Sequence, residues 1–256
     1  MTVVAVTSWR GVGTTTTGLL LAAASAAAGD EAWFVEADPA GGVLATRAEG
    51  LTGSGGLERV AFGAADEPAH RSLANCSRRL GQVHVVVGAW DSFHAWSTIV
   101  SPRRSWVDAL HRLDGTVVVD AGSMRGGNVP AWRILEIADV VALVANSEPA
   151  SLTSTVSWID SKGQTAPGLT GLGTQPQVVV VDAPVASGER FDPDVAGELG
   201  ERFAGWWPWE PKVVDHVHRG GGLDHRSIRR YALPRAAQAT AMSLLGRTRM
   251  TEAVSL

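Results

Sequence analysis

The segment that decides the fold is Val3-Val4-Ala5-Val6-Thr7-Ser8-Trp9-Arg10-Gly11-Val12-Gly13-Thr14-Thr15. Its β-branched first part predicts a strand over Val3–Thr7, and its two glycines predict a tight turn. The Leu- and Ala-rich run Thr15–Ala28 that follows favours a helix. A strand, a glycine turn and a helix in this order point backbone N–H groups toward a helix N-terminus, which is a setting that binds anions.

The rest of the chain predicts an α/β fold. Short apolar runs bounded by polar or small residues are typical of parallel strands buried on both faces. These runs are Ala32–Ala37, Val83–Val87, Val117–Val119, Val140–Ala145 and Val178–Val181. Helices are predicted between them, over Ala69–Leu80, Ser105–Arg112, Val129–Ile137 and Ser151–Asp160. The alternation predicts a doubly wound, mostly parallel sheet flanked by helices. No repeat or boundary interrupts it, so we expect residues 1–256 to form a single domain.

Composition narrows the class of protein. The 256 residues are 45% hydrophobic with a net charge of −4, which allows a large core and gives no global attraction to nucleic acid. Cys76 is the sole cysteine, which excludes an internal disulfide and a cysteine zinc cluster. The N-terminus lacks a basic signal region, and the apolar run Leu19–Ala28 is too short to span a bilayer. We therefore expect a cytoplasmic protein without a transmembrane segment.

The glycine turn departs from the standard phosphate loop, G-x-x-x-x-G-K-[ST]. Gly13 stands where the last glycine belongs, and Thr15 stands where a hydroxyl binds magnesium. Thr14 occupies the position of the lysine. A plain glycine turn that ends in a threonine helix cap would give the same pattern. The loop alone therefore leaves a phosphate site and a structural turn both open.

Four later segments reduce this ambiguity. They are Val35-Glu36-Ala37-Asp38-Pro39-Ala40-Gly41-Gly42, Val117-Val118-Val119-Asp120-Ala121-Gly122, Glu148-Pro149-Ala150-Ser151-Leu152 and Trp207-Pro208-Trp209-Glu210-Pro211. In order and spacing they resemble the motifs of the ParA/MinD family of P-loop ATPases, over nearly the whole chain. The resemblance is nearest to the divergent CpaE/TadZ-type members that accompany pilus and secretion machinery. It implies a P-loop NTPase fold that uses ATP and magnesium.

The resemblance also implies roles for individual residues. Asp38 matches the catalytic aspartate that acts near the attacking water, and Asp120 matches the aspartate that positions magnesium together with Thr15. Asp182 follows a strand where many members carry an asparagine that reads adenine, and Pro208 matches the adenine-pocket proline. The remaining nucleotide-binding positions implied by the loop are Arg10, Gly11, Val12, Gly13, Thr14, Thr15 and Thr16.

Both lysines of the family loop are replaced. The signature lysine, which in the family reaches the phosphates of a dimer partner, corresponds to Trp9, and the second lysine corresponds to Thr14. A charge-assisted hydrogen bond to phosphate contributes roughly 1.5–3 kcal/mol, so each lost lysine weakens binding by about 10- to 100-fold. Arg10, one position away, is a candidate substitute. Trp9 lies where a nucleotide needs room, and either stacks over the site or fills it.

These departures favour a ParA/MinD-like pseudo-ATPase or very weak ATPase that acts as a positioning or scaffolding protein for pilus or secretion machinery. One alternative is an active ATPase in which Arg10 or a partner residue replaces the lysine. Another is an interaction module that has lost nucleotide, with Trp9 in the pocket. The resemblance implies a homodimer and a protein partner. DNA binding by the basic segment Arg219–Arg235 is possible but not favoured, because Asp215 and Asp224 balance its charge.

Overall fold

A computed structural model describes residues 1–48, 50–51, 56–63, 66–103, 105–124, 129–160, 174–184 and 199–254. Eight strands of this part form one sheet in the order β3-β4-β2-β5-β1-β6-β7-β8. All neighbouring strands are parallel except β3 and β4, which pair antiparallel. The strands β1 to β8 are Thr2–Ser8, Ala32–Glu36, Arg78–Leu80, Val83–Val86, Thr116–Ser123, Val140–Asn146, Gln177–Asp182 and Phe203–Pro208.

Helices cover both faces of the sheet. Helices α1 to α9 are Thr14–Ala27, Leu44–Arg47, Gly56–Phe62, Ala69–Cys76, Ser92–Val100, Val129–Ile137, Pro149–Asp160, Pro211–His218 and Ala232–Val254. Short 3₁₀ helices span Val107–Arg112 and Gly200–Arg202. In the described part of the chain, no helix is long and apolar enough to cross a membrane.

The sheet separates two hydrophobic cores because neighbouring strand residues point to opposite faces. On β2, Phe34 belongs to the core under α1, α2, α8 and α9, whereas Val35 belongs to the core under α3 to α7. Nearly all residues of the central strands are buried on both faces. This burial explains why those strands are continuous apolar runs in the sequence.

The predicted α/β architecture is confirmed, with two helices that differ from the prediction. Ser105–Arg112 was predicted as a helix and forms a short 3₁₀ helix over Val107–Arg112. Ala69–Leu80 was predicted as a single helix, but the helix ends at Cys76 and Arg78–Leu80 forms the edge strand β3. Ser77 is extended, and a turn through Gly81, with φ of +61°, lets β3 fold back on β4. Strand β8 and the helices α2, α3, α5 and α8 were not predicted from the sequence.

The topology places the glycine turn at a switch point of the sheet. Strand β1 lies between β5 and β6, so the chain runs to one side of β1 in the first half and to the other side in the second. In doubly wound sheets, ligands bind in the crevice at the carboxyl ends of strands beside such a switch. The turn between β1 and α1 opens into this crevice.

Candidate functional site

The glycine turn has the backbone of an anion-binding loop. Gly11 and Gly13 adopt φ of +71° and +90°, which disfavours any side chain at either position. The Gly11 N–H donates to Ser8 Oγ at 2.8 Å, and the Thr17 N–H donates to the Gly13 carbonyl at 2.9 Å. Gly13 is the N-cap of α1 and supplies no side-chain cap, so donors of the first helical turn remain available to a ligand.

Hydroxyl and carboxyl side chains come together at the N-terminus of α1. The Thr15 hydroxyl donates to Asp120 Oδ2 at 2.5 Å, and the Gly122 N–H donates to Asp120 Oδ1 at 3.0 Å. Gly122 also brings Asp38 to the same point, because a Cβ on Gly122 would lie 2.2 Å from Asp38 Oδ1. The structure therefore unites three residues that come from the ends of β2 and β5 and from the start of α1.

A cation would stabilise the carboxylate forms of Asp120 and Asp38. Asp120 is fully buried, and its pKa is raised to about 7. Burial is the main cause and the negative charges of Asp38 and Glu36 add to it, against the hydrogen bonds from Thr15 and Gly122. Burial also raises the pKa of Asp38, against the hydrogen bond from the Ala40 N–H. A bound cation would stabilise both carboxylates, because it offsets the cost of burying negative charge.

Glu36 has a structural role instead. Its buried Oε1 accepts the N–H groups of Val43 and Leu44 at 2.6 and 2.9 Å, and its Oε2 accepts the Gly88 N–H at 2.9 Å. These bonds join the end of β2 to the start of α2 and to the loop after β4. The Glu36 side chain therefore accepts three backbone N–H groups close to the loop that carries Asp38.

A pocket of about 260 Å³ opens beside the loop, on the α1 face of the sheet. Val12 and Gly13 of the loop and Thr16 of α1 line it, and most of the other lining residues are apolar. The other lining residues are Thr17, Leu20, Asn146, Val181, Ala183, Trp207, Pro208, Trp209, Val214 and Leu233. An apolar cleft with aromatic walls next to an anion-binding loop suits a flat heterocyclic base attached to a phosphate.

The residues predicted for the base occupy different positions. Pro208 lines the pocket at the end of β8. Asp182 lies beside Pro208 in the register of β7 and β8, but Val181 and Ala183 line the pocket instead. The Asp182 Oδ1 accepts the Ser147 hydroxyl at 2.9 Å. A role of Asp182 in reading adenine remains a prediction from the resemblance.

The two loop positions that the resemblance assigns to lysines are Trp9 and Thr14, and they have different environments. Thr14 is buried at the start of α1, and Arg10, the candidate substitute, is exposed. Trp9 is half-buried and packs on the core beneath α3 to α7. Its ring lies 5.3 Å from that of Trp158 on α7, and Trp158 in turn meets Trp132 of α6 edge-on at 6.3 Å. Trp9 therefore lies on the opposite face of the sheet from the pocket and does not line it.

Two polar residues were not assigned to this site from the sequence. Asn146, the last residue of β6, lines the pocket. In the sequence, its place at the end of an apolar strand is the one feature that points to this role. His218, the last residue of α8, places Nε2 3.5 Å from the Thr16 hydroxyl oxygen. Burial lowers the pKa of His218, and the charge of Arg47 lowers it further. Neither residue belongs to a local motif, because only the fold brings them to the loop.

The donor set fits magnesium. Hydroxyl and carboxylate oxygens are its preferred protein ligands, and in nucleotide sites it is held by one or two of them together with phosphate oxygens. Thr15 and Asp120 would supply those protein oxygens. Within the described residues, no three His, Cys, Asp or Glu side chains cluster to form a complete protein cage for a metal. The mostly parallel sheet and the glycine turn between β1 and α1 together identify a P-loop NTPase fold.

Comparisons with solved structures identify the particular version of that fold. The cell division ATPase MinD of Pyrococcus furiosus superposes with a TM-score of 0.71 at 17% identity, over 96% of this chain and 98% of that one. A ParA family ATPase from Chlorobium tepidum TLS gives 0.68 at 15% identity, over 94% and 97%. MinD from Pyrococcus horikoshii OT3, complexed with Mg-ADP, gives 0.62 at 17% identity, over 96% and 97%. No family model and no curated protein sequence matches the chain. The chain has the fold of the MinD and ParA ATPases.

Proposed function

We propose that this protein is a ParA/MinD-type pseudo-ATPase, which binds a magnesium–adenine nucleotide weakly, turns it over slowly or not at all, and acts as a positioning or scaffolding protein. The observation that carries the proposal is the Thr15–Asp120–Asp38 cluster beside a loop whose lysine positions hold Trp9 and Thr14. The loop thus keeps oxygen atoms that suit a magnesium ion, but it lacks the two lysine side chains that would contact the phosphates.

Nucleotide binding is supported by the continuity of loop and pocket. Gly13 and Thr16 line the pocket, and Thr15 between them donates to Asp120. A base between Trp207, Pro208 and Leu233 would therefore direct its phosphates toward the first turn of α1. The same fold in Pyrococcus horikoshii MinD holds Mg-ADP. Magnesium, when bound, would neutralise phosphate charge that no lysine of this loop balances.

Slow turnover follows from the charge of the loop. Phosphoryl transfer depends on cations that stabilise the charge developing in the transition state, and removing them costs more in rate than in binding. Arg10 is exposed, and its position in the loop differs from that of either family lysine. Asp38 retains the position of the family's catalytic aspartate, so residual hydrolysis would depend on it.

The positioning role rests on the resemblance to family members that accompany pilus and secretion machinery. A protein of this fold that binds nucleotide without turning it over is suited to recruit partners, because hydrolysis does not end the nucleotide-bound state. The packing of Trp9 on Trp158 disfavours the alternative in which Trp9 fills the pocket. The alternative of an active ATPase is decided by experiment.

Two assays on the purified protein test the proposal. Calorimetric titration with ATP, with and without magnesium, should give weak, magnesium-dependent binding, and phosphate release should be near background. Turnover at the rate of an ordinary ParA-type ATPase that Asp38→Ala abolishes would show an active enzyme. Absence of binding at about millimolar ATP would leave an interaction module only.

A further inference from the structure

Helix α5 presents an exposed aromatic face. Trp90, Phe93 and Trp96 are 79%, 75% and 48% exposed, and Val100 adds 44%. Phe93, Trp96 and Val100 follow the spacing i, i+3, i+7, which places them on one side of the helix. The opposite side, with Ala95, Thr98 and Ile99, is buried in the sheet core. We define the exposed set Trp90, Phe93, Trp96 and Val100 as the α5 patch.

The α5 patch is ordered by the fold. Asp91 is the N-cap of α5, and its Oδ1 accepts the His94 N–H at 3.0 Å. The Gly42 N–H donates to the Ala89 carbonyl at 2.6 Å, and a Cβ on Gly41 would lie 2.9 Å from the Trp90 carbonyl oxygen. The patch therefore adjoins the loop that carries Asp38, at the carboxyl edge of the sheet.

The size of the patch matches half of a protein interface. With about 150–250 Å² for a fully exposed aromatic side chain, the patch exposes about 500 Å² of apolar surface. Apolar patches of that extent on a single chain are commonly binding surfaces. Two such patches in contact would bury about 1,000 Å², which reaches the threshold of a specific interface before the polar rim is counted.

Its charges suit a second copy of the same surface. Within Trp90–Val100 the ionisable side chains are Asp91 and His94, whose Oδ2 and Nδ1 atoms lie 2.6 Å apart. Outside this segment, Glu58 of α3 is close enough for its negative charge to act on His94. Since Asp91 and His94 pair with each other, helix α5 itself brings no unpaired charge to a symmetric contact. Aromatic rings also pair favourably with like rings in offset or edge-on geometry. An isologous two-fold contact needs this kind of self-complementary surface.

We propose that the α5 patch is the contact surface of a symmetric homodimer that forms without nucleotide. The proposal does not rest on the proposed function, since the patch contains none of the nucleotide-site residues. The occupant is a second copy of this chain, with each α5 against the other. Because the patch adjoins the Asp38 loop, dimer formation would place the two loops near the contact.

Sedimentation velocity of the full chain in EDTA, over about a hundredfold range of concentration, tests the proposal. Wild type should shift from monomer to dimer, and Phe93→Glu should raise the dimer dissociation constant by about tenfold or more. Met242→Glu is the matched control, because Met242 is 70% exposed on α9, outside the patch. It should dimerise like wild type. Circular dichroism should show both variants folded.

Two results would overturn the proposal. One is a wild type that stays monomeric throughout the range. The other is a dimer that persists unchanged in Phe93→Glu and in a second variant, Trp96→Ala. A further experiment measures binding of the protein to neutral phospholipid vesicles. Monomeric wild type that binds vesicles, with binding lost in Phe93→Glu, would assign the patch to a lipid surface instead. Nucleotide titrations of the same variants keep this result separate from the proposed function.

Discussion

The indole of Trp9 packs against the indole of Trp158, with ring centroids 5.3 Å apart and planes inclined by 30°. Trp158 lies on α7, and Trp9 stands at the loop position that the sequence resemblance assigns to a lysine. The contact turns the aromatic ring away from the pocket and attaches the loop to the core beneath α3 to α7. In this chain the residue at that position therefore packs on the core and supplies no positive charge to the loop.

This contact predicts a measurable coupling. In a double-mutant cycle, Trp9→Ala and Trp158→Ala should show a coupling free energy of about 0.5–1.5 kcal/mol in urea unfolding, as expected for an aromatic pair. Trp9→Ala should also leave ATP affinity within about twofold of wild type, because Trp9 does not line the pocket. A large gain in affinity would instead mean that Trp9 fills the site.

A restored lysine should strengthen nucleotide binding. Thr14→Lys adds a cation at the start of α1, so ATP affinity should rise by about 10- to 100-fold, the value of one charge-assisted phosphate contact. Thr153→Lys, at an exposed position of α7, adds the same charge away from the site and serves as the control. Calorimetry measures both, and an equal gain in the two variants would contradict a specific loop contact.

The Thr15 hydroxyl should carry the magnesium dependence. Thr15→Val removes the oxygen that donates to Asp120, so the gain in ATP affinity on adding magnesium should disappear while affinity in EDTA stays close to wild type. Thr15→Ser keeps the hydroxyl and should keep the gain. Thermal melts of the two variants show whether the fold is intact. Magnesium dependence retained in the valine variant would place the ion elsewhere.

Filling the pocket should block the base without touching the loop. Val214 of α8 lines the pocket, so Val214→Trp should lower ATP affinity by about tenfold or more. Lys212→Trp adds the same side chain at an exposed position of that helix and should have no effect. Binding of inorganic triphosphate, which has no base, should be equal in both variants. Unchanged ATP binding in Val214→Trp would exclude this pocket as the base site.

Asp120 predicts a pH-dependent difference in stability. The pKa of Asp120 in the folded chain is about 7, above the ordinary 3.8, so the folded state holds a proton that the unfolded state releases. The associated stability is present at low pH and is lost as pH rises through about 7. Asp120→Asn, which carries no charge, should therefore exceed wild type in unfolding free energy by roughly 2–4 kcal/mol at about pH 8 in EDTA.

The same comparison at about pH 5 is the internal control, because wild-type Asp120 is then protonated in the folded state. The advantage of the asparagine variant should shrink there. His218, whose pKa is lowered by burial, titrates in both proteins and cancels in the difference. Urea unfolding at both pH values measures the effect. A difference independent of pH would mean that Asp120 stays ionised throughout.

Local sequence determined the elements that carry the site. The apolar runs predicted the central strands, and Asp38 and Asp120 follow two of them, so the parallel arrangement alone brings both carboxyl groups to one edge. Gly13 and Thr15 predicted the turn and the start of α1, because φ above zero requires glycine and a helix start needs unpaired donors. These are short-range properties of the chain, which neighbouring residues specify.

Only the tertiary structure decided where side chains face and which distant residues meet. A shift of one residue along β7 exchanges the faces of Asp182 and Val181, and no local pattern distinguishes them when both faces are buried. His218 and Asn146 reach the loop from other elements, and Trp9 packs against Trp158, which lies far away in the sequence. The exposure of α5 depends on which side the sheet covers. Such features depend on contacts between residues far apart in sequence, which composition and spacing do not specify.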